Sequence, residues 1–180
     1  MVADFIMHLF IRWIVGPNGL GLILGGLLSG AALLAAPDTG PSTALPAPTW
    51  QLPDLAGQTV SSEQFKGKVV VVDFWATWCP PCVAEIPGYI ALQKKYAAQG
   101  LVIIGISMDR RGPAAVEQFA AARGINYTIV MGDDASAEAF GGIEALPTTF
   151  LINRQGVIVH RKIGAVATEE YEKLVQQALR

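Results

Sequence analysis

The two cysteines of the chain, Cys79 and Cys82, are separated by two prolines in the sequence WCPPC. Two thiols at this spacing can close a small ring, so the pair can accept or release two electrons by thiol–disulfide exchange. Cys79 lies at the predicted start of a helix, where unpaired N–H groups and the helix dipole favour a negative charge. Because the thiolate is the reactive form of cysteine, the pattern predicts a redox-active pair.

The elements around the cysteines are a strand before them and a helix after them. Residues 69–75 are an apolar run rich in valine, which predicts a strand buried on both faces. The helix is expected to extend to about residue 98, with Val83, Ile86 and Ile90 facing the core. Pro87 interrupts this pattern and predicts a kink.

The remaining segments alternate between strand and helix patterns. We predict a hairpin over 49–60, a serine-capped turn of helix over 61–65, strands over 101–107 and 127–131, helices over 113–123 and 136–140, a hairpin pairing 149–152 with 157–161, and a helix over 168–179 with Thr168 as its N-cap. This order predicts an α/β fold in which a mixed sheet carries helices on both faces.

Composition excludes several classes of function. The net charge is -2 and basic residues are not concentrated anywhere, so we expect no nucleic-acid partner. Two cysteines are too few for a scaffold held by several disulfides. Structural zinc needs four ligands, whereas the chain's histidines, His8 and His160, lie far from each other and from the cysteines, so we expect no metal.

The N-terminal part of the chain has a different character. Residues 20–36 carry no charge, and their length is at the lower limit for crossing a bilayer. We expect residues 1–36 to form a membrane anchor, with a cleaved signal peptide or a buried helix as alternatives. Arg12 precedes the apolar stretch, so the positive-inside rule places the C-terminal domain outside the cytoplasm. Residues 37–48 have linker composition, and residues 49–180 form the predicted domain.

Over roughly residues 48–180, the chain resembles the thioredoxin superfamily. More narrowly, it is similar to the TlpA/ResA-like membrane-anchored thiol–disulfide oxidoreductases that act outside the cytoplasm. The residues that carry the resemblance are FKGK at 65–68, DFWATWCPPC at 73–82, Glu85, Pro87 and LPTTFLI at 146–152. The resemblance implies a thioredoxin-like three-layer α/β/α fold with a mixed sheet and an added N-terminal β-hairpin.

The resemblance also implies a role for each side of the site. Cys79 is the more exposed attacking thiol, and Cys82 is the buried resolving thiol. Pro147 follows a cis peptide bond and faces the cysteines, while Leu146 offers its backbone to an extended substrate chain. The substrate-binding residues implied in this way are Trp78, Leu146, Pro147 and Thr148.

Two acidic residues are candidates for handling protons. Asp73 lies in the apolar run before the cysteines, and burial raises the pKa of a carboxyl group toward neutrality. It matches the buried acid of thioredoxin, whereas the TlpA/ResA-like branch often has asparagine there. Glu85 matches a glutamate that lies close to the cysteines in ResA-like proteins. A structural aspartate and an exposed glutamate are the alternatives, and the sequence leaves open which acid serves the cysteines.

The resemblance implies reduction of disulfides in secreted proteins, including the haem-binding cysteines of apocytochrome c. A transmembrane carrier of the CcdA or DsbD type would supply electrons, and no cofactor is needed beyond the Cys79–Cys82 disulfide. One alternative is a copper-binding module of the Sco type, but that family uses CxxxC with a distal histidine. The other is a thiol peroxidase, which needs a threonine where Ala76 precedes Cys79 by three residues.

Overall fold

Residues 45–180 are the part of the chain that the computed structural model describes. The predicted anchor at residues 1–36 and most of the predicted linker lie outside the described residues, so their structure stays a prediction. Within residues 45–180, no helix is both long enough and apolar enough to cross a membrane.

Within the same residues, strands and helices follow the predicted order closely. The strands are β1 (Leu45–Pro46), β2 (Gln51–Pro53), β3 (Thr59–Ser61), β4 (Val69–Trp75), β5 (Leu101–Ser107), β6 (Thr128–Met131), β7 (Thr148–Ile152) and β8 (Val157–Ile163). The helices are α1 (Pro80–Tyr96), α2 (Pro113–Arg123), α3 (Asp134–Ala139) and α4 (Thr168–Leu179), with 3₁₀ turns at Ser62–Phe65 and Ala97–Gln99.

The main sheet is mixed, as predicted. Its strand order is β1-β8-β7-β4-β5-β6, and β2 pairs with β3 in a separate hairpin. Strands β4, β5 and β6 are parallel, whereas β7 runs antiparallel to both β4 and β8. Every residue of β4 is buried, which explains why this strand is apolar at every position except Asp73 rather than alternating.

The two faces of the main sheet are covered by different elements. On one face, Val71 packs with Tyr89 of α1 and Tyr171 of α4, and α2 packs on the same side. On the other face, Val72 packs with the β2–β3 hairpin and with Phe140, which ends α3. The three-layer architecture predicted from the sequence is therefore confirmed, with the long helices on a single face.

The buried side of α1 differs from the prediction. Ile86 is buried and the half-buried Ile90 packs against the same core cluster, as predicted, whereas Val83 is only half-buried. The buried residues of α1 are Cys82, Glu85, Ile86, Tyr89, Leu92 and Tyr96. The buried face of α1 includes a charged residue, Glu85. A search for regularly spaced apolar residues does not count a glutamate, so the sequence pattern did not identify this face correctly. Pro87 lies within α1, and its kink stays a prediction.

Two helix starts also differ. The N-cap of α4 is Ala167, which makes no side-chain capping bond, so the prediction of Thr168 as the cap is wrong. Thr168 is the first residue of the helix, and its side chain lies against Gly88 of α1. Helix α3 begins at Asp134, two residues earlier than predicted, because Asp133 and Ser136 form a capping box.

The predicted linker ends inside the main sheet. Leu45 and Pro46 already pair with Ile158 and Val157 of β8. Ala47 then donates a backbone hydrogen bond to Gly156 at 2.8 Å. The ordered sheet therefore starts before residue 49, where the sequence predicts the domain to begin.

Close contact between α1 and α4 requires glycine at position 88. A Cβ atom there would lie 2.9 Å from Cγ2 of Thr168 and closer still to its Oγ1. We expect Gly88→Ala to lower the free energy of unfolding by about 1–3 kcal/mol, because overpacking outweighs the higher helix propensity of alanine. Adding Thr168→Ala removes both crowding atoms and should recover most of the loss. Urea unfolding of both variants checks this, and a single variant as stable as the parent would contradict it.

Candidate active site

Cys79 and Cys82 form a disulfide at the start of α1. Cys79 is the N-cap of this helix in an extended conformation, and its Sγ accepts a hydrogen bond from the Cys82 N–H at 3.3 Å. Pro80 and Pro81 occupy the first helical positions, where a missing N–H costs nothing. Cys79 is 4% exposed and Cys82 2%, so the expected difference in exposure is small in the disulfide form.

The loop that leads into Cys79 is held by a buried carboxylate. Asp109, two residues after β5, is 6% exposed and accepts hydrogen bonds from the Thr77 N–H at 2.8 Å and from the Thr77 hydroxyl. The Ser107 hydroxyl donates to the same carboxylate at 2.9 Å. Arg111 donates to the Thr77 hydroxyl oxygen at 3.1 Å. This network fixes the attacking cysteine relative to β5, and the sequence did not predict it.

The segment before β7 forms the second half of the site. The Leu146–Pro147 peptide bond is cis, as expected. Gly164, just after β8, donates its N–H to the carbonyl oxygen of Pro147 at 2.8 Å. Leu146 packs against the cluster that contains Cys79 and Cys82. The fold therefore brings the cis-proline segment and the cysteines together.

The other predicted substrate-binding residues differ in accessibility. Trp78 is 62% exposed and is available to a partner. Thr148 is fully buried, and its hydroxyl donates to the carbonyl oxygen of Ala145 at 2.7 Å. Ile163 of β8 pairs with Thr148 and is 54% exposed, which adds an apolar side chain that the sequence did not single out. Contact of these residues with substrate stays a prediction.

Asp73 belongs to a row of polar residues that crosses three strands. It pairs with Thr149 of β7, which in turn pairs with Lys162 of β8. We call Asp73, Thr149 and Lys162 the polar row. The Thr149 hydroxyl donates to Asp73 Oδ1 at 2.9 Å. Since that hydroxyl has a single hydrogen, the 3.2 Å contact with the Tyr89 hydroxyl is a bond that Tyr89 donates.

The environment of Asp73 changes its acidity. Burial, with a smaller contribution from the nearby Glu85, raises the pKa of Asp73 from 3.8 to about 7, against the lowering effects of the Thr149 hydrogen bond and Lys162. A carboxyl group that changes charge near neutral pH is suited to exchanging protons with a reacting thiol. Asp73 also lies two residues before Trp75, which packs with both cysteines.

Glu85 is buried rather than exposed, so the exposed alternative is wrong. It is 8% exposed and lies one turn after Cys82 on the buried side of α1. Its Oε1 forms an ion pair with Lys162 and accepts the Val166 N–H at 3.1 Å. Lys162 was missed from the sequence because a lysine on a strand before a surface loop resembles an exposed residue.

A metal cluster or a cavity away from the cysteines could also mark a site in the described part of the chain. Within residues 45–180, no cluster of three or more histidine, cysteine, aspartate or glutamate side chains is placed to hold a metal ion. A cavity of about 520 Å³ lies at the opposite end of β4 from the cysteines. Its lining includes Trp50, Phe65, Val70, Ile152 and Arg154. None of the predicted site residues lines it.

A thioredoxin-like sheet with a disulfide at a helix start and a facing cis-proline defines a thiol–disulfide oxidoreductase. The family model described as Redoxin matches residues 42–178. The chain belongs to the redoxin family.

Individual relatives agree with this class. The chain is 37% identical over 121 residues to the thiol-disulfide oxidoreductase ResA of Bacillus subtilis (strain 168), covering 67% of this chain and 66% of that one. It is 33% identical over 126 residues to ResA of Bacillus thuringiensis (strain Al Hakam), covering 70% and 72%. A crystal structure of a thioredoxin family thiol:disulfide interchange protein from Chlorobium tepidum TLS has a TM-score of 0.72 and 32% identity, covering 78% of this chain and all of that one. The predicted TlpA/ResA-like resemblance and the thiol–disulfide oxidoreductase activity are confirmed.

The raised pKa of Asp73 predicts how stability depends on pH. Because the pKa is about 7 in the folded protein and 3.8 unfolded, the folded state binds more protons between these values. Stability is therefore lost as pH rises through this window. Asp73→Asn removes the ionisation, so we expect the variant to be more stable than the parent by up to about 4 kcal/mol above about pH 7, with the difference vanishing toward about pH 4.

Urea unfolding of the oxidised protein across this pH range measures the effect. Glu144→Gln, at an exposed position, is the control and should leave the pH dependence unchanged. A constant difference between Asp73→Asn and the parent at all pH values would show that the carboxyl group does not titrate in this window.

Proposed function

We propose that this protein reduces disulfide bonds in proteins outside the cytoplasm, including the haem-binding cysteines of apocytochrome c. The observation that carries the proposal is the packing of Leu146, beside cis-Pro147, against the cluster that contains Cys79 and Cys82. This packing supports the proposal because Leu146 could offer its backbone to an extended substrate chain beside the cysteines. The names of the ResA relatives, thiol-disulfide oxidoreductases, support the same chemistry.

The reaction begins from the reduced protein. The Cys79 thiolate attacks one sulfur of a substrate disulfide, forms a mixed disulfide and releases the other substrate sulfur as a thiolate, which takes up a proton. The Cys82 thiol then loses its proton and attacks the Cys79 sulfur. The second substrate sulfur leaves and is protonated, and the Cys79–Cys82 disulfide remains. Two electrons pass from the cysteine pair to the substrate, and of the two protons that the substrate thiols take up, one replaces the proton lost by Cys82 and the other comes from solvent.

We assign the proton of Cys82 to Asp73. A carboxyl group with a pKa of about 7 is partly ionised at neutral pH and can both accept and return a proton. Glu85 is engaged differently, because its Oε1 is held by the Lys162 ammonium and by the Val166 N–H. Asp73, in contrast, accepts a hydrogen bond from the neutral Thr149 hydroxyl.

Two exposed apolar side chains belong to the proposed substrate surface. Trp78 precedes Cys79 and is exposed, and Ile163 is exposed beside the strand that follows Pro147. Burial of these side chains against a substrate chain would supply affinity with little dependence on sequence.

Location and electron supply belong to the same proposal. The apolar residues 20–36 and Arg12 before them support a single-pass anchor in the cytoplasmic membrane with the catalytic domain on the outer side. An oxidised Cys79–Cys82 pair must be reduced again after each turnover. We propose that a transmembrane dithiol carrier of the CcdA or DsbD type donates those two electrons.

Serine variants of the two cysteines test the reaction. We expect Cys79→Ser to abolish reduction of insulin disulfides, because the attacking thiolate is lost. Cys82→Ser should instead accumulate a mixed disulfide with substrate. Copper(I) titration of the parent in parallel separates the copper-binding alternative. Tight copper binding without disulfide turnover, or full activity of Cys79→Ser, would contradict the proposal.

The same Cys82→Ser variant identifies partners in the native cell. We expect it to hold secreted or cytochrome c-type proteins in disulfide-linked complexes that reductant releases. Cys79→Ser/Cys82→Ser, which has no thiol, is the matched control and should hold none. Capture of cytoplasmic proteins alone would contradict the outer location.

A further inference from the structure

Lys162 is a charged side chain buried in a mainly apolar and aromatic interior. Its side chain is 4% exposed, and its ammonium pairs with Glu85. The ammonium also lies 6.0 Å from the ring centre of Tyr89 and 5.6 Å from that of Tyr171. Burying an ion pair often contributes less stability than burying apolar residues of similar volume, so a role beyond stability is expected for it.

The strand register directs this lysine toward the candidate active site. Thr149 pairs with both Asp73 and Lys162, and paired residues of neighbouring strands share a face of the sheet. Glu85 reaches the same space from α1, one turn after Cys82. Lys162 therefore contacts the helix that carries the cysteines and lies in the row that contains the buried acid.

Several ionisable groups face this space. They are Asp73 from β4, Glu85 and Tyr89 from α1, Tyr171 from α4, Tyr127 before β6 and His160 beside Lys162 on β8. Burial raises the pKa of Tyr89 and of Tyr171 well above the usual range, so both remain neutral. The charges that act on Asp73 are those of Glu85 and Lys162.

The charges of Asp73, Glu85 and Lys162 do not cancel when both acids are ionised. A single ammonium faces two carboxyl groups, so ionisation of Asp73 adds a second buried negative charge. Within residues 45–180, Glu85 Oε2 is buried and has no hydrogen-bond partner. The negative charge of Glu85 is therefore compensated mainly by Lys162 and by the Val166 N–H. The effect of Glu85 on Asp73 consequently depends on Lys162.

We propose that Lys162 is a positioning residue for thiol–disulfide exchange, which holds Glu85 against α1 and sets the pH at which Asp73 exchanges its proton with the cysteine pair. It acts through these two acids. The effect of Lys162 on turnover rests on the proposed function. Its effect on the Asp73 carboxyl group is a property of the folded protein alone.

The coupling is tested by following the Asp73 carboxyl carbon by ¹³C NMR as the oxidised full chain is titrated with acid and base. We expect Lys162→Met to move the Asp73 midpoint up by about one pH unit or more, since two acids then lack a cation. Glu85→Gln should move it down by a similar amount, because Lys162 then faces Asp73 alone. The double variant should return close to the parent, because the two effects oppose each other.

Two further variants separate charge from packing. Lys162→Arg keeps the charge and should leave the midpoint close to that of the parent. Lys95→Met removes the ammonium of another α1 ion pair, the exposed Lys95–Glu172 pair at 2.8 Å, and should leave the midpoint unchanged. If Lys162 were only structural, Lys162→Met and Glu85→Gln would change stability without shifting Asp73 in opposite directions.

The pH profile of insulin reduction should shift in the same direction as the NMR midpoint for each variant. The inference is overturned if the Asp73 midpoints of Lys162→Met and Glu85→Gln coincide with that of the parent, or if both midpoints move in the same direction. Should Lys162→Met fail to fold, Glu85→Gln decides alone, since an upward or absent shift overturns the inference and a downward one supports it. Absence of insulin reduction by the parent would refute the proposed function, while the NMR titration would still decide the coupling.

Discussion

The pairing of β4 with β7 is the constraint on which the site depends. This one register brings Thr149 beside Asp73, so that a hydroxyl satisfies a carboxyl group inside an apolar sheet. One residue earlier, it pairs Thr148 with Phe74 and thereby fixes the cis-proline segment against the end of β4. A slip of one residue would turn every side chain of β7 to the opposite face. The buried acid and the substrate-facing segment are thus positioned by the same hydrogen-bonded ladder.

Strand β8 and helix α1 complete the arrangement through charge. Lys162 extends the polar row by one strand, and its ion pair with Glu85 links the sheet to the helix that carries the cysteines. Glu85 also accepts the N–H of Val166, so the loop before α4 is tied to the same carboxylate. At the other side of the site, Asp109 ties the loop before Cys79 to β5. Buried carboxylates therefore hold the site at several points, and each is satisfied by groups distant in sequence.

The elements that the sequence predicted well are those encoded locally. The valine run of β4 and the two prolines between the cysteines carry their own signals, and the resemblance added the cis bond at Pro147. Lys162 was not predictable in this way. A bulge around Val159 breaks the alternation of β8, so Ile158 packs on one face of the sheet while His160 and Lys162 face the other. Neither the bulge nor the strand register that places Thr149 beside Asp73 can be inferred from local pattern.

The most direct test concerns the proton of Cys82. Rapid mixing of the reduced protein with a disulfide-linked peptide separates formation of the mixed disulfide from its resolution. For Asp73→Asn near neutral pH, we predict that attack by Cys79 changes by no more than about threefold, because its thiolate forms at the helix start. Resolution by Cys82 should slow by about 10²-fold, the usual contribution of a positioned general base. Equal resolution rates in Asp73→Asn and the parent would contradict a role for the buried acid in the exchange.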